Sequence, residues 1–274
     1  MELNEFLAHL DAHLDPDSEQ SVLAITPQLQ ALGRNRRFLA EFLASNLDRP
    51  DFQCDNSYSG ATIIVGRGEG YTVRVVAWPP ASEIHRMGSG REPHLYREDE
   101  PDPIAHTHPF GLLTYGFLGP GYTTEVYGCD PVELIRRGVG EAVSVGPAQW
   151  ERLEEGAVLF YPAFRVAHIQ HPPAEYSVSL NLMVHPSNPR GFEQYFVSPR
   201  RGVLTGVAGT ETESAVAVLE MVRRLPSGQT CALLERVARA HRLRTVRERA
   251  GAILRHHTHE ASGAGGARGE TRAI

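Results

Sequence analysis

The chain has 274 residues, 41% of them hydrophobic and 22% charged, with a formal net charge of −6. That length suits one large domain or a domain with appendages, and no stretch approaches the roughly 20 uninterrupted apolar residues of a membrane span. The negative balance argues against a nucleic-acid partner for the whole chain, and the acidic, amphipathic start "MELNEFLAHLDAHLDPD" is unlike a secretory leader, so a cytoplasmic location without a membrane partner is expected.

Cys54, Cys129 and Cys231 are far apart and odd in number, which fits reduced thiols better than a disulfide framework or a CxxC zinc site. Every basic side chain other than histidine is arginine. From Arg201 onward 12 arginines face seven acidic residues, leaving the first 200 residues strongly acidic.

Leu3, Phe6, Leu7, Leu10 and Leu14 recur at helical intervals, and the pattern resumes from Val22 to Leu43 with a break near Pro27 or Gly33. Residues 1–50 are therefore expected to form a helical lead-in. At "SGATIIVGRGEGYTVRVVAWPP" (59–80) period 2 replaces period 3.6, and β-branched runs flank a Gly-rich turn, which predicts a hairpin. No helix follows "GRGEG", so it is not a phosphate loop. Residues 81–101 are polar and Gly/Pro-punctuated, a long loop placed like a lid. Strand-like stretches follow at 102–119, 121–129, 141–162 and 176–185. Together they predict a mainly β domain over 51–199, a sandwich or barrel. Helices return after Pro199 and fill 200–256, and the Gly/Ala-rich tail from 257 is expected to be unstructured.

The chemistry concentrates in "DPIAHTHPFGLLTYGFLG" (102–119). On a strand, His106 and His108 project from one face, so they form either half a metal site or a polar strand entrance. A third ligand is offered by "EEGAVLFYPAFRVAHIQHPPAEYSVSLNLMV", where His168 precedes an apolar strand. His171 is the fallback ligand. Gln170 shares the face of His168, and Asn181 faces inward with Ser179 and Met183. Tyr161 and Arg165 are candidate pocket residues, and His94, Tyr96, Arg91 and Arg97 are candidate substrate contacts from the loop. "HHTHE" (256–260) resembles a metal cluster only by composition.

The two segments resemble the paired motifs of the cupin superfamily. The first reads His106-Thr107-His108 with Gly116 and Gly119 downstream; the second reads Gly156, "AVLFY", Pro162, "AFRVA", His168. No carboxylate follows His108 until Glu125, whereas cupins usually place a glutamate a few residues after the histidine pair. A three-histidine cupin is similar to the cysteine dioxygenase-like, or thiol dioxygenase, branch, as are "RVVAWPP", the closing "SVSLNL" and the helical lead-in.

The resemblance implies a cupin-type β-barrel with helical N- and C-terminal extensions. It further implies an iron(II) held by His106, His108 and His168 that activates O2 on a small, chelating, anionic substrate without 2-oxoglutarate. Three neutral imidazoles leave a divalent ion its full charge and vacant positions, which suits such a substrate. The same ligands also hold catalytic zinc, so a non-redox isomerase, lyase or hydrolase using Zn, Mn or Ni is the alternative. Two departures limit the substrate. Ser179-Leu180-Asn181-Leu182-Met183 lacks the branch's relay histidine and tyrosine, and Gly60 and Ala61 stand where its carboxylate-binding arginine is expected. Cysteine is therefore not the expected substrate. The arginine-studded C-terminal helices are expected to pack on the barrel or on a dimer mate; a ligand-sensing regulator that contacts DNA through them is the remaining reading.

Overall fold

Helical spacing in the first fifty residues becomes α1 (Leu3–His13), α2 (Glu19–Ala24), α3 (Thr26–Arg34) and α4 (Arg36–Asn46) in a computed structural model that describes residues 1–56, 61–84, 103–187, 193–208, 210–225 and 227–264. Local chemistry sets the boundaries. Pro27 sits in the first turn of α3, where its missing N–H costs nothing, so it starts a helix instead of breaking one. The Asn35 side chain accepts from the Arg37 N–H at 3.1 Å, capping α4, and its amide also donates to the Met1 carbonyl at 3.1 Å. Replacing that cap by alanine is expected to cost about 1 kcal/mol, read as a lower urea midpoint with an unchanged m-value. A neutral result would place the joint between α3 and α4 outside the cooperative unit.

The Gly-rich stretch forms the expected hairpin of β1 (Thr62–Gly68) and β2 (Tyr71–Trp78), with Gly70 at φ +75° in the turn. A short helix α5 (Ala81–Ile84) follows, and the rest of the expected lid, including His94 and Arg97, lies outside the described residues. Then come β3 (Ala105–Thr107), β4 (Gly111–Leu118), β5 (Tyr122–Gly128), α6 (Pro131–Arg136), β6 (Gln149–Leu153), β7 (Val158–Tyr161), β8 (Val166–His171) and β9 (Ser177–Val184). A second hairpin, β10 (Gln194–Ser198) and β11 (Val203–Ala208), precedes the helices α7 (Thr210–Arg223), α8 (Gly228–Ala240) and α9 (Arg244–Ala264).

One sheet runs β1-β2-β9-β4-β7 and the other β11-β10-β3-β8-β5-β6. Counted from β2 to β9, the first sheet holds strands one, eight, three and six, and the second holds two, seven, four and five. That interleaving is a jelly roll, two Greek keys wound into a pair of facing sheets. The expected mainly β barrel with helical extensions is therefore present, in the topology that cupins share.

Three expectations change in detail. The stretch 141–162 is not one strand: Glu154 to Ala157 form a turn between β6 and β7, and 141–148, carrying Gly146 and Pro147, contribute only isolated bridges. The β-to-helix change expected at 199/200 falls inside the β10–β11 hairpin, whose turn places Gly202 at φ +59°. The alternation in "QYFVS" and "VLTGVA" carried that signal. The tail expected to be unstructured from 257 is helical through Ala264, since α9 continues past His257, a buried residue whose Nε2 meets the Arg223 carbonyl at 2.9 Å.

The chain divides into two compact units, the second built on α7, α8 and α9. In the first, Phe6, Leu10, Leu29 and Leu32 pack on the outward residues of the five-stranded sheet, among them Val73, Val75, Leu113, Tyr115, Leu180 and Leu182. The helical lead-in thus buries one face of the barrel. Close approach requires Gly33, where a Cβ would fall 2.2 Å from the Tyr115 ring. The second unit closes on Leu219, Leu234, Leu243, Val246 and Ile253. Among the described residues no helix is long and apolar enough to cross a membrane, and the three cysteines are free.

Candidate metal centre

Because outward residues on the five-stranded sheet meet the helices, the alternate residues face the barrel interior. On the six-stranded sheet the same alternation turns His106, His168, Gln170, Tyr122, Thr124 and Val126 inward. His106 on β3 pairs directly with His168 on β8, which sets two imidazoles side by side. His108 lies just past the end of β3, and its carbonyl accepts from the Phe164 N–H at 3.0 Å, tying this turn to the turn before β8.

The three Nε2 atoms converge. They are 3.0 Å apart for His106 and His108, 3.1 Å for His106 and His168, and 3.2 Å for His108 and His168. His106 and His168 are 3% and 1% exposed, and His108 is half-buried. Three neutral imidazoles with inward Nε2 lone pairs repel one another unless a cation or protons lie between them. The donor chemistry therefore fits a divalent metal.

Around the cluster, the Tyr161 ring on β7 meets His168 edge-on, with centroids 4.9 Å apart, and packs with Leu112, Val126 and Met183. The Tyr161 hydroxyl is beside Thr124 and Glu151, and burial pushes its pKa far above the ordinary phenol value. Tyr161 is thus a neutral wall of the site. Phe110 lies against His108 with centroids 4.5 Å apart. Gln170 and Asn181 are both buried and inward, as expected; Asn181 accepts from the Thr114 hydroxyl at 2.6 Å, and Gln170 is beside the Tyr122 hydroxyl.

Two candidates fall elsewhere. His171 faces the outer side of the sheet, where its Nε2 meets Glu125 Oε1 at 2.8 Å and its ring lies 5.1 Å from exposed Trp150. It lies three positions after His168, so strand alternation turns it away from the interior. Arg165 is exposed in the turn before β8 and pairs with Glu19 at 3.5 Å, so it does not line the barrel.

The interior also holds polar residues that sequence reading did not single out. Arg74 on β2 pairs with Asn181, which pairs in turn with Thr114 on β4, forming one inward row across three strands. On the facing sheet, Tyr122 is fully buried, packs at a tilt against Trp78 with centroids 4.3 Å apart, and is near Thr114, Gln170 and the Arg74 charge; burial raises its pKa to about 12. The signal for Arg74 lay in "YTVRVVAW", where a charged residue takes an inward position of an apolar strand.

No protein-family model and no curated protein matches this chain. Solved structures similar to it include hydroquinone 1,2-dioxygenase PnpCD, in a complex with Cd2+ and 4-hydroxybenzonitrile, at 17% identity over 48% of this chain and 68% of that one, with a TM-score of 0.29. The DMSP lyase DddQ from Ruegeria pomeroyi DSS-3 aligns at 13% identity over 48% of this chain and 53% of its own, with a TM-score of 0.25. A cupin domain from Bordetella pertussis Tohama I aligns at 11% identity over 45% of this chain and 90% of its own, with a TM-score of 0.25. Each likeness spans about half of this chain or less. At these scores the reading of the site rests on its own three histidines.

Proposed function

We propose that this chain is a mononuclear non-haem iron(II) oxygenase of the three-histidine type, acting on a small, chelating, anionic substrate without 2-oxoglutarate. The observation that carries the reading is the triangle of Nε2 atoms with 3.0–3.2 Å edges, a cluster that among the described residues includes no carboxylate. His106, His108 and His168 would hold the iron, which supplies a site where substrate and dioxygen meet and exchange electrons. An all-neutral ligand set favours an anionic donor, because the ion's charge is not offset by the protein. Three protein ligands would leave the ion up to three vacant positions, enough for a chelating substrate and dioxygen together.

The chain's own residues supply the rest of the site. Tyr161 and Phe110 cover the cluster with rings and limit water on those sides. Met183, Leu112 and Val126 complete an apolar wall, so polar recognition of substrate falls to the row beyond it.

The test is metal analysis of anaerobically purified protein, followed by oxygen consumption across a panel of small hydroxy, amino and thiol acids. Iron-dependent oxygen uptake with at least one of them is expected. Turnover that persists without oxygen would overturn the oxygenase and indicate a lyase, isomerase or hydrolase on the same three ligands.

A further inference from the structure

We infer that Glu151, with Thr124 and Tyr161, forms a subsite for a primary ammonium group inside the barrel, so that the substrate carries a protonated amine as well as the anionic donor that reaches the three histidines. The inference rests on the metal reading above and adds the group at the substrate's other end.

Glu151 belongs to β6, the edge strand of the six-stranded sheet, and pairs directly with Thr124 on β5, which pairs in turn with Gln170 on β8. Residues in register share a face, so Glu151 points inward with the other two. Arg152, the next residue, turns to the opposite side and donates to the Pro120 carbonyl at 3.2 Å. From the facing sheet the Tyr161 hydroxyl reaches the same place, beside Thr124 and Glu151. Thr124 and Tyr161 are 0% and 2% exposed. Thr124 Oγ1, Glu151 Oε2 and the Tyr161 hydroxyl are all buried, and none completes a hydrogen bond with a described residue.

A buried oxygen left unanswered costs about 1–3 kcal/mol, and more where it carries charge. Three of them at one place therefore mark the position of a donor-rich group. Their chemistry sets its class. A carboxylate only accepts, and each hydroxyl can accept as well as donate, so the place offers three acceptors and one negative charge. A primary ammonium brings three donors and one positive charge; a water brings two donors and no charge, and an anion would meet Glu151 with like charge.

Strand register gives the span. His168 pairs with Val126, and the row of Gln170, Thr124 and Glu151 lies two residues farther along the same strands, so about 7 Å away. A short ω-amino acid covers that step, with its carboxylate at the metal and its ammonium at Glu151. An α-amino acid holds the two groups too close together to do so.

The experiment uses iron-loaded protein under nitrogen, titrated calorimetrically with 3-aminopropanoate, 4-aminobutanoate and 5-aminopentanoate, and with butanoate, pentanoate and hexanoate, in which a methyl group replaces the ammonium. The wild type is expected to bind at least one amino acid about tenfold or more tightly than its methyl counterpart, as expected for one charge-assisted pair. Glu151→Gln should erase that preference with iron content unchanged. A wild type without a preference, a preference that survives in Glu151→Gln, or loss of iron in that variant would each overturn the assignment. If the wild type takes up no iron, the metal reading fails by itself. Metal-free protein titrated with propylammonium and with 1-propanol then decides Glu151, which stands only if the ammonium is preferred and the preference disappears in Glu151→Gln.

Discussion

Alanine at His106, His108 or His168 is expected to weaken iron binding by more than about 100-fold, beyond the 10–100-fold typical of residues that only support a ligand. His171→Ala, by contrast, should retain a full complement. The contrast follows from two faces of one strand: His168 Nε2 meets the other two within 3.2 Å, whereas His171 is bound to Glu125 on the outer face. Metal analysis of the four variants reads it directly. A thermal measurement reads it independently, since a ligand at 100 times its Kd adds about 2.7 kcal/mol to folding stability. Removing metal with a chelator should therefore lower the wild-type and His171→Ala midpoints and leave the other three unmoved. Loss of metal in His171→Ala with retention in His168→Ala would put the third ligand on the outer face and dismantle the site.

That site was legible because its determinants are local. The period-2 pattern around His106 and the apolar run after His168 each placed a histidine on a strand face, and the order of the two motifs placed the strands opposite one another. Their direct pairing, His106 against His168, is what the strand register adds. The helical lead-in was legible for the same reason, since Phe6, Leu10, Leu29 and Leu32 mark one stripe and all are buried. What the stripe covers was not legible. Packing on the outside of the five-stranded sheet depends on contacts between residues far apart in the chain, and no periodicity encodes them.

Misreadings arose where a local rule met a nonlocal demand. Arg165 follows the second motif's proline in sequence, yet the turn points it outward to Glu19. The β10–β11 hairpin was passed over because "SPRRG" reads as a boundary, although Tyr195 and Val197 are buried and β10 pairs with β3 beside His106. The helical reading of "LLERVARAHRLRTVRERAGAIL" held, because there a single strong period governs both helices.

Alanine at Gly116 is expected to destabilise the barrel by about 3 kcal/mol or more, whereas alanine at Gly156, the other motif glycine in the same contact, should cost about 1–2 kcal/mol. The two glycines are needed for different reasons. Gly156 has φ +86° with nothing within 4 Å of an added Cβ, so substitution there adds backbone strain alone. At Gly116 a Cβ would lie 2.0 Å from the Glu154 carbonyl oxygen, and backbone cannot yield as a side chain can. Relieving that clash pushes the β6–β7 turn off β4 and breaks two bonds that join them: Gly116 N–H to Ala157 O at 3.0 Å and Gly156 N–H to Gly116 O at 2.8 Å. The displaced turn leads straight into β7, which carries Tyr161 against His168. Gly116→Ala should therefore also lower iron affinity, although Gly116 lies far along β4 from any ligand, while Gly156→Ala loses stability with its iron affinity intact. Urea unfolding with parallel metal analysis separates the two; equal costs, or unchanged iron affinity in Gly116→Ala, would mean that the turn and the metal site are held independently.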